Sequence, residues 1–166
     1  MNVLGIILAR AGSKGLPGKC MRDLCGKPVI AYTFDHARAS RRITDVVFST
    51  DSADAKAFAE RCGVAVIDRP PELATDTATV DDAARHAVLA WEGRTDGRTK
   101  GQRVADVIVL MYGNIPVRRA GSIDEAIEKL IAAGASSVRS IAPVTKQHPD
   151  WIHRLDGDRM IQFRKN

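Results

Sequence analysis

Cysteine is scarce and shows no pairing pattern. Cys20, Cys25 and Cys62 are three in number, have no CxxC spacing, and lie near no histidines placed to complete a zinc site. That argues against a disulfide scaffold or a zinc ribbon and predicts reduced thiols. Aromatic residues are equally few, 5% of 166. With so few rings for base stacking and with basic residues scattered, the net charge of +5 does not read as a nucleic-acid surface. No apolar run reaches the roughly 18 residues of a membrane span. The N-terminal apolar run has no basic segment before it and is interrupted by Arg10, so neither a signal peptide nor membrane attachment is expected, and a cytoplasmic location is. Repeats and low-complexity tracts are also missing. Length and even composition predict a single domain over 1–166, with the 45% hydrophobic and 27% charged content of a globular protein.

What is present is a series of short, β-branched runs separated by segments long enough for helices. The runs are Val3–Leu8, Asp45–Ser49, Val64–Ile67 and Val104–Met111. Their spacing is that of a parallel sheet with helical crossovers, so the fold class is α/β. Helices are predicted over Pro28–Ala37, with Ile30, Phe34 and Ala37 on one face, and over Ala53–Arg61, with Asp51 or Ser52 as cap and Gly63 as stop. Cys62 joins the apolar face of the second. Arg69-Pro70-Pro71 forces a turn. A third helix is predicted from Thr79 to Ala90, opened by Thr79 and Asp82, with a polar surface loop from Glu92 to Gln102. Ser122 and Glu125 spell a capping box for a fourth, which presents Ala126, Ile127, Leu130 and Ile131 and ends near Gly134. Ser137–Val144 reads as a further strand.

The chemistry-bearing stretch follows the first run: Ala9-Arg10-Ala11-Gly12-Ser13-Lys14-Gly15-Leu16-Pro17-Gly18-Lys19. Glycines let backbone N–H groups come close to an anion, and three cations project from the same loop, with no acid before Asp23 to offset them. Composition alone leaves a basic surface loop equally open; a small polyanion is the sharper reading. The loop is not a P-loop, since Gly18-Lys19 is followed by Cys20 and Ser13 stands where the first glycine belongs. No GxGxxG occurs. An ordinary ATPase or Rossmann dehydrogenase is therefore disfavoured.

The stretch Ala9-Arg10-Ala11-Gly12-Ser13-Lys14-Gly15-Leu16-Pro17-Gly18-Lys19-Cys20 resembles the opening of the acylneuraminate (CMP-sialic acid synthetase-like) cytidylyltransferases, whose signature is AR-x-GSKG-x-P-x-KN. The resemblance continues through Leu24–Thr33, Val47–Asp51, Arg69–Thr77 and Val109–Arg118, with His148-Pro149 also fitting. It implies a Rossmann-like nucleotidyltransferase fold, a mainly parallel sheet with helices on both faces. It further implies an enzyme that condenses CTP with an acidic 2-keto sugar to give a CMP-sugar and pyrophosphate, with Mg²⁺ as cofactor and a homodimer as the working form. By motif, Arg10 and Lys19 would stabilise charge at the reacting phosphate. Ala9, Ala11, Gly12, Ser13, Lys14 and Cys20 would line the nucleotide site with them, and Arg69, Ala78 and Val80 would sit near the cytidine. Tyr112, Asn114, Arg118 and His148 would face the sugar, Arg118 as a carboxylate ligand or in a structural ion pair. Asn114 falls where some relatives carry a metal-binding Asp, and offers only a neutral oxygen.

Three positions depart from the pattern: Cys20, Val80 and Tyr112 replace polar residues. A missing buried hydrogen-bonding group costs roughly 1–3 kcal/mol, so the substrate or the site geometry differs from the family norm. The resemblance places an Asp-x-Asp metal motif and part of the dimer contact beyond Asn166, so either the chain is a fragment or its metal site is incomplete. Asp156-Gly157-Asp158 has the spelling but reads as a turn between two strands. His36 and His86 read as structural. A non-catalytic nucleotide- or sugar-binding homologue and a transferase for another nucleotide and sugar pair remain as alternatives.

Overall fold

A computed structural model describes residues 1–12, 15–94, 105–141 and 153–162. In chain order the elements are β1 (Val3–Leu8), β2 (Asp23–Leu24), β3 (Lys27–Pro28), α1 (Val29–Ala39), β4 (Asp45–Thr50), α2 (Ala53–Arg61), β5 (Ala65–Asp68), α3 (Val80–Arg94), β6 (Val107–Tyr112), α4 (Ser122–Ala132), β7 (His153–Asp156) and β8 (Arg159–Gln162). No described helix is long and apolar enough to cross a membrane.

The four apolar runs form one parallel sheet in the order β5-β4-β1-β6. Registers are Ile7 with Phe48 and with Met111, and Phe48 with Val66. All six residues of β1 are buried, as expected of a central strand covered on both faces. Side chains alternate across the sheet. Ile7, Phe48, Val66 and Met111 point to a core shared with Ile30 and Phe34 of α1 and Ala55 and Ala59 of α2, with Cys62 partly buried beside it. Leu4, Ile6, Leu8, Val47 and Ile67 point the other way, to Ala83 and Ala87 of α3. Phe34 packs edge-on against Phe48 at 5.4 Å between ring centroids. Burying a side chain of this size contributes about 1.5–3 kcal/mol.

Local signals hold at most helix ends. The Ser52 hydroxyl accepts from the Ala55 N–H at 3.3 Å, and Gly63 (φ 68°) ends α2. The Thr79 hydroxyl accepts from the Asp82 N–H at 3.1 Å and donates to its carboxylate at 2.6 Å. α3 runs past the predicted Ala90 to Arg94, whose guanidinium donates to the Val66 carbonyl. The predicted polar loop is thus helix over 92–94, and the rest of it lies outside the described residues.

Two expectations are corrected. The capping box at Ser122 does not form: Gly121 (φ 76°) precedes α4 without a side-chain cap. Arg119 takes the Glu125 carboxylate, while Asp124 turns inward to the Ser40 hydroxyl and the Arg41 N–H. Longer-range partners outcompete the local cap, and Ile131 is left exposed. The strand expected at Ser137–Val144 is not strand over 137–141, and its remainder lies outside the described residues. Asp156-Gly157-Asp158 is the turn it resembled: Gly157 adopts φ 56° between β7 and β8, and Asp158 pairs with Lys129 at 2.6 Å.

Candidate active site

All four parallel strands point their carboxyl ends at one edge of the sheet, where ligand sites of open α/β sheets form. There the loops after β1, β5 and β6 enclose a cavity of about 500 Å³. The loop after β1 contributes Ala9, Arg10, Gly15, Lys19 and Cys20. The segment after β5 contributes Arg69, Leu73, Thr75, Asp76, Ala78 and Thr79, and α3 adds Val80 and Ala83. Tyr112 and Asn114 close the wall from β6.

Each cation is held differently. Arg10 donates to the Thr75 carbonyl at 2.8 Å and to the Asp76 carboxylate at 2.6 Å. The pair is partly open to solvent, at 33% and 42% side-chain exposure, which makes it exchangeable. Arg69 is buried; it donates to the Ser49 hydroxyl at 3.2 Å and to the Ser49 carbonyl at 2.8 Å. Burial lowers its pKa from the ordinary guanidinium value, opposed by the Asp51 carboxylate and assisted by nearby Arg10. No described carboxylate forms an ion pair with it. Lys19 opens a short 3-10 turn, Lys19–Met21, behind Gly18 in the left-handed region (φ 62°), so a glycine there sets the direction of the lysine. Cys20 is buried and its thiol is pushed up by burial, against the pull of Lys19. It is a neutral wall residue and not a nucleophile.

Nine of the predicted site residues meet at this cavity: Ala9, Arg10, Lys19, Cys20, Arg69, Ala78, Val80, Tyr112 and Asn114. Ala11 does not line it. Its N–H donates to the Asp51 carboxylate at 2.9 Å, tying the loop to the end of β4. Gly12 is also absent from the lining. Ser13, Lys14 and His148 lie outside the described residues. Arg118 is not in the wall, and its guanidinium serves backbone carbonyls of the loop after β6. Its sequence leaves two roles open, carboxylate ligand or structural ion pair; the contacts it makes here are to neutral backbone groups of the fold. Asp51, Thr75 and Asp76 were not singled out from sequence. Their signal was available, since each follows a strand end or the Arg69-Pro70-Pro71 turn.

The wall from β6 depends on close approach. The Gly113 N–H donates to the Leu8 carbonyl at 2.9 Å. A Cβ there would lie 2.5 Å from Ile30 Cδ1 and 3.1 Å from Ala9 Cβ, so glycine alone lets β6 and β1 turn out of the sheet together. The result is a cleft with three cations and one carboxylate among its described lining residues. Such a field suits a polyphosphate, and the apolar lining residues Leu8, Leu73, Val80 and Ala83 suit a ring.

Comparison with known proteins agrees. A family model described as cytidylyltransferase matches residues 4–150. The chain is 35% identical over 160 residues to an N-acylneuraminate cytidylyltransferase of Streptococcus agalactiae serotype V, covering 95% of this chain and 36% of the relative. It is 36% identical over 160 residues to a CMP-N,N'-diacetyllegionaminic acid synthase of Legionella pneumophila, covering 94% and 64%. Among solved structures, a CMP:2-keto-3-deoxy-manno-octonic acid synthetase complexed with CTP superposes with a TM-score of 0.64 at 21% identity, covering 81% of this chain and 49% of that one. The chain therefore spans about one third to two thirds of the length of these relatives.

Proposed function

Because the chain belongs to the cytidylyltransferase family, we propose that its cavity binds CTP and transfers the cytidylyl group to an acidic 2-keto sugar. The observation that carries this reading is the convergence of Arg10, Lys19 and Arg69 on one cleft that is also lined by the apolar Leu8, Leu73, Val80 and Ala83. The relatives are named for different sugar acids, so the sugar is a sialic acid-like 2-keto acid by analogy with the first of them.

In this reading the anomeric hydroxyl oxygen attacks the α-phosphorus of CTP. The new phosphorus–oxygen bond forms as the bond to the bridging β-phosphate oxygen breaks. Pyrophosphate leaves with the electron pair, and the hydroxyl proton passes to solvent. The protein's work is positioning and charge neutralisation. Arg10 exchanges Asp76 for phosphate oxygens, Lys19 approaches from the turn behind Gly18, and Arg69 supplies a fixed buried charge at the base of β5. Ser13 and Lys14 belong to the same loop and would extend the phosphate contacts. The backbone around Ala78 and Val80 would meet the cytosine.

A divalent ion is implied by the family resemblance. Among the described residues no group of three or more His, Cys, Asp or Glu side chains could hold one. Asn114 offers one neutral oxygen, and Asp158 is paired with Lys129. These residues do not fit a protein-built Mg²⁺ site, so the charge neutralisation proposed rests on the cations named.

The test is pyrophosphate release by this chain across CTP, UTP, ATP and GTP with a panel of 2-keto sugar acids, alongside calorimetric nucleotide titration. CTP-dependent release supports the proposal. Release with another nucleotide alone transfers it to a different substrate pair, and binding without release makes the chain a non-catalytic nucleotide binder. Absence of nucleotide binding refutes the reading.

A further inference from the structure

Behind the loop that follows β6, four polar groups meet around one guanidinium. Arg118 donates to the Ile115 carbonyl at 2.7 Å and to the Tyr112 carbonyl at 2.9 Å. It also reaches the Thr33 hydroxyl at 3.1 Å and His36 Nδ1 at 3.2 Å. The Thr33 hydroxyl in turn lies 3.3 Å from both carbonyls. Thr33 and His36 are three residues apart on α1 and so share one face.

Among the described residues this loop has little else to hold it. β6 ends at Tyr112 and is the outer strand of the described sheet. Beyond it the backbone makes one bond to β1, from Gly113 to Leu8, and one long turn contact of 3.4 Å from the Ile115 N–H to the Tyr112 carbonyl. Tyr112 and Asn114 are nevertheless the two residues of this segment that line the cavity, and both are exposed at its rim. A planar fork that reaches two carbonyls three residues apart fixes the curve of the chain between them.

We propose that Arg118 is a positioning residue of the transfer site: through the Tyr112 and Ile115 carbonyls it sets where Tyr112 and Asn114 stand in the cavity wall, with His36 holding the guanidinium from behind. Arginine cannot accept a hydrogen bond, so His36 must accept through an unprotonated Nδ1 and carry its proton on Nε2. Burial lowers the pKa of His36 from its ordinary value. Arg118 and Lys27 add to that, and Asp35 opposes it. Protonation would turn the acceptor into a second cation facing the guanidinium and loosen the loop.

The inference rests on the transfer reading for its kinetic arm and on exchange for its structural arm. With Arg118→Met, kcat falls about tenfold or more while the Kd for CTP changes by less than about threefold, since misplacing a site by an ångström costs up to about a hundredfold in rate. Amide hydrogen exchange at Gly113 and Ile115 accelerates about tenfold or more, with β1 amides unchanged. Thr33→Val, a volume-conserving change inside α1, produces the same pattern more weakly and guards against misfolding of the first variant. His36→Asn keeps an acceptor that does not titrate and removes a loss of rate on acidification that, with the His36 pKa lowered, sets in below the ordinary histidine value of about 6.5. A rise in sugar KM with kcat preserved in Arg118→Met overturns the proposal in favour of a carboxylate ligand. Unchanged exchange at Gly113 and Ile115 overturns it outright. If the parent chain releases no pyrophosphate with any pair, the transfer reading fails while the exchange arm still decides whether Arg118 sets the loop.

Discussion

Substituting Gly113 by alanine probes the joint on which the cavity wall turns. The new Cβ would stand 2.5 Å from Ile30 Cδ1, 3.1 Å from Ala9 Cβ and 3.2 Å from the Leu8 carbonyl oxygen. Ile30 is fully buried, so its tip has nowhere to swing, and the other two contacts belong to short or rigid groups. The backbone angle of Gly113 is not in the left-handed region, so the cost is one of overpacking, about 1–3 kcal/mol. In a protein of this size that lowers the melting temperature by about 2–4 °C per kcal/mol. The main clash is with a single methyl group, and Ile30→Val deletes it. Ile30→Val alone costs about 0.5–1.5 kcal/mol. Combined with Gly113→Ala it leaves only two contacts a few tenths of an ångström too tight, so the double variant should be more stable than the sum of the singles by about 1 kcal/mol. Urea denaturation of the four proteins, with unchanged m-values, measures that coupling. The same series titrated with CTP should show weaker binding in Gly113→Ala and partial recovery in the double variant. A Gly113→Ala protein as stable as its parent, or a cycle with no coupling to Ile30, would refute the packing argument.

Three further outcomes follow from the site and its surroundings. Asp76→Asn releases Arg10 from an exposed ion pair worth about 0.2–1 kcal/mol, so pyrophosphate and CTP should bind about 1.5- to 5-fold tighter by calorimetry; weaker binding would mean that Asp76 contacts the ligand side favourably. Lys19→Met removes a cation with no substitute at its position, and its loss should weaken CTP binding at low salt more than at high salt, because screening falls hardest on the parent. Asp124 is held below the usual carboxylate value first by the Ser40 hydroxyl, with the Arg41 and Arg42 N–H groups and the Arg41 charge adding to it and burial opposing it. A depressed carboxyl pKa contributes stability that is present above the unfolded value of about 3.9 and is lost as pH falls through the folded one. Asp124→Asn should therefore flatten the acid limb of the stability profile in denaturant melts, and an unaltered limb would remove Asp124 from that account.

The parts of this protein readable in the sequence are those decided within a few residues. The β1 run, the Ser52 cap and the Thr79–Asp82 pair each act locally, and each forms as its spacing suggests. The failures share one cause. Ser122 and Glu125 have the right spacing for a cap, but Arg119 draws Glu125 outward and Ser40 draws Asp124 inward from 84 residues away. Arg118 sits in a block that suggests a ligand or a structural ion pair, and its meeting with Thr33 and His36, 85 and 82 residues away, is not visible in that block. Asp76 meets Arg10 across 66 residues, a pairing that no window of sequence contains. Gly113 could be recognised as a glycine but not as the point where Ile30 and Ala9 close in.

The buried guanidinium of Arg69 gives the fold a thermodynamic handle on its own occupancy. Its contacts to Ser49 anchor it to β4 while no described carboxylate forms an ion pair with it, so an anion bound beside it would offset part of its desolvation cost. Whatever occupies the folded cleft and ignores the unfolded chain adds RT ln(1 + [L]/Kd) to stability, about 2.7 kcal/mol at a hundred times Kd. If the cleft binds nucleotide as proposed, the melting temperature of this protein rises with the concentration of that polyanion in solution.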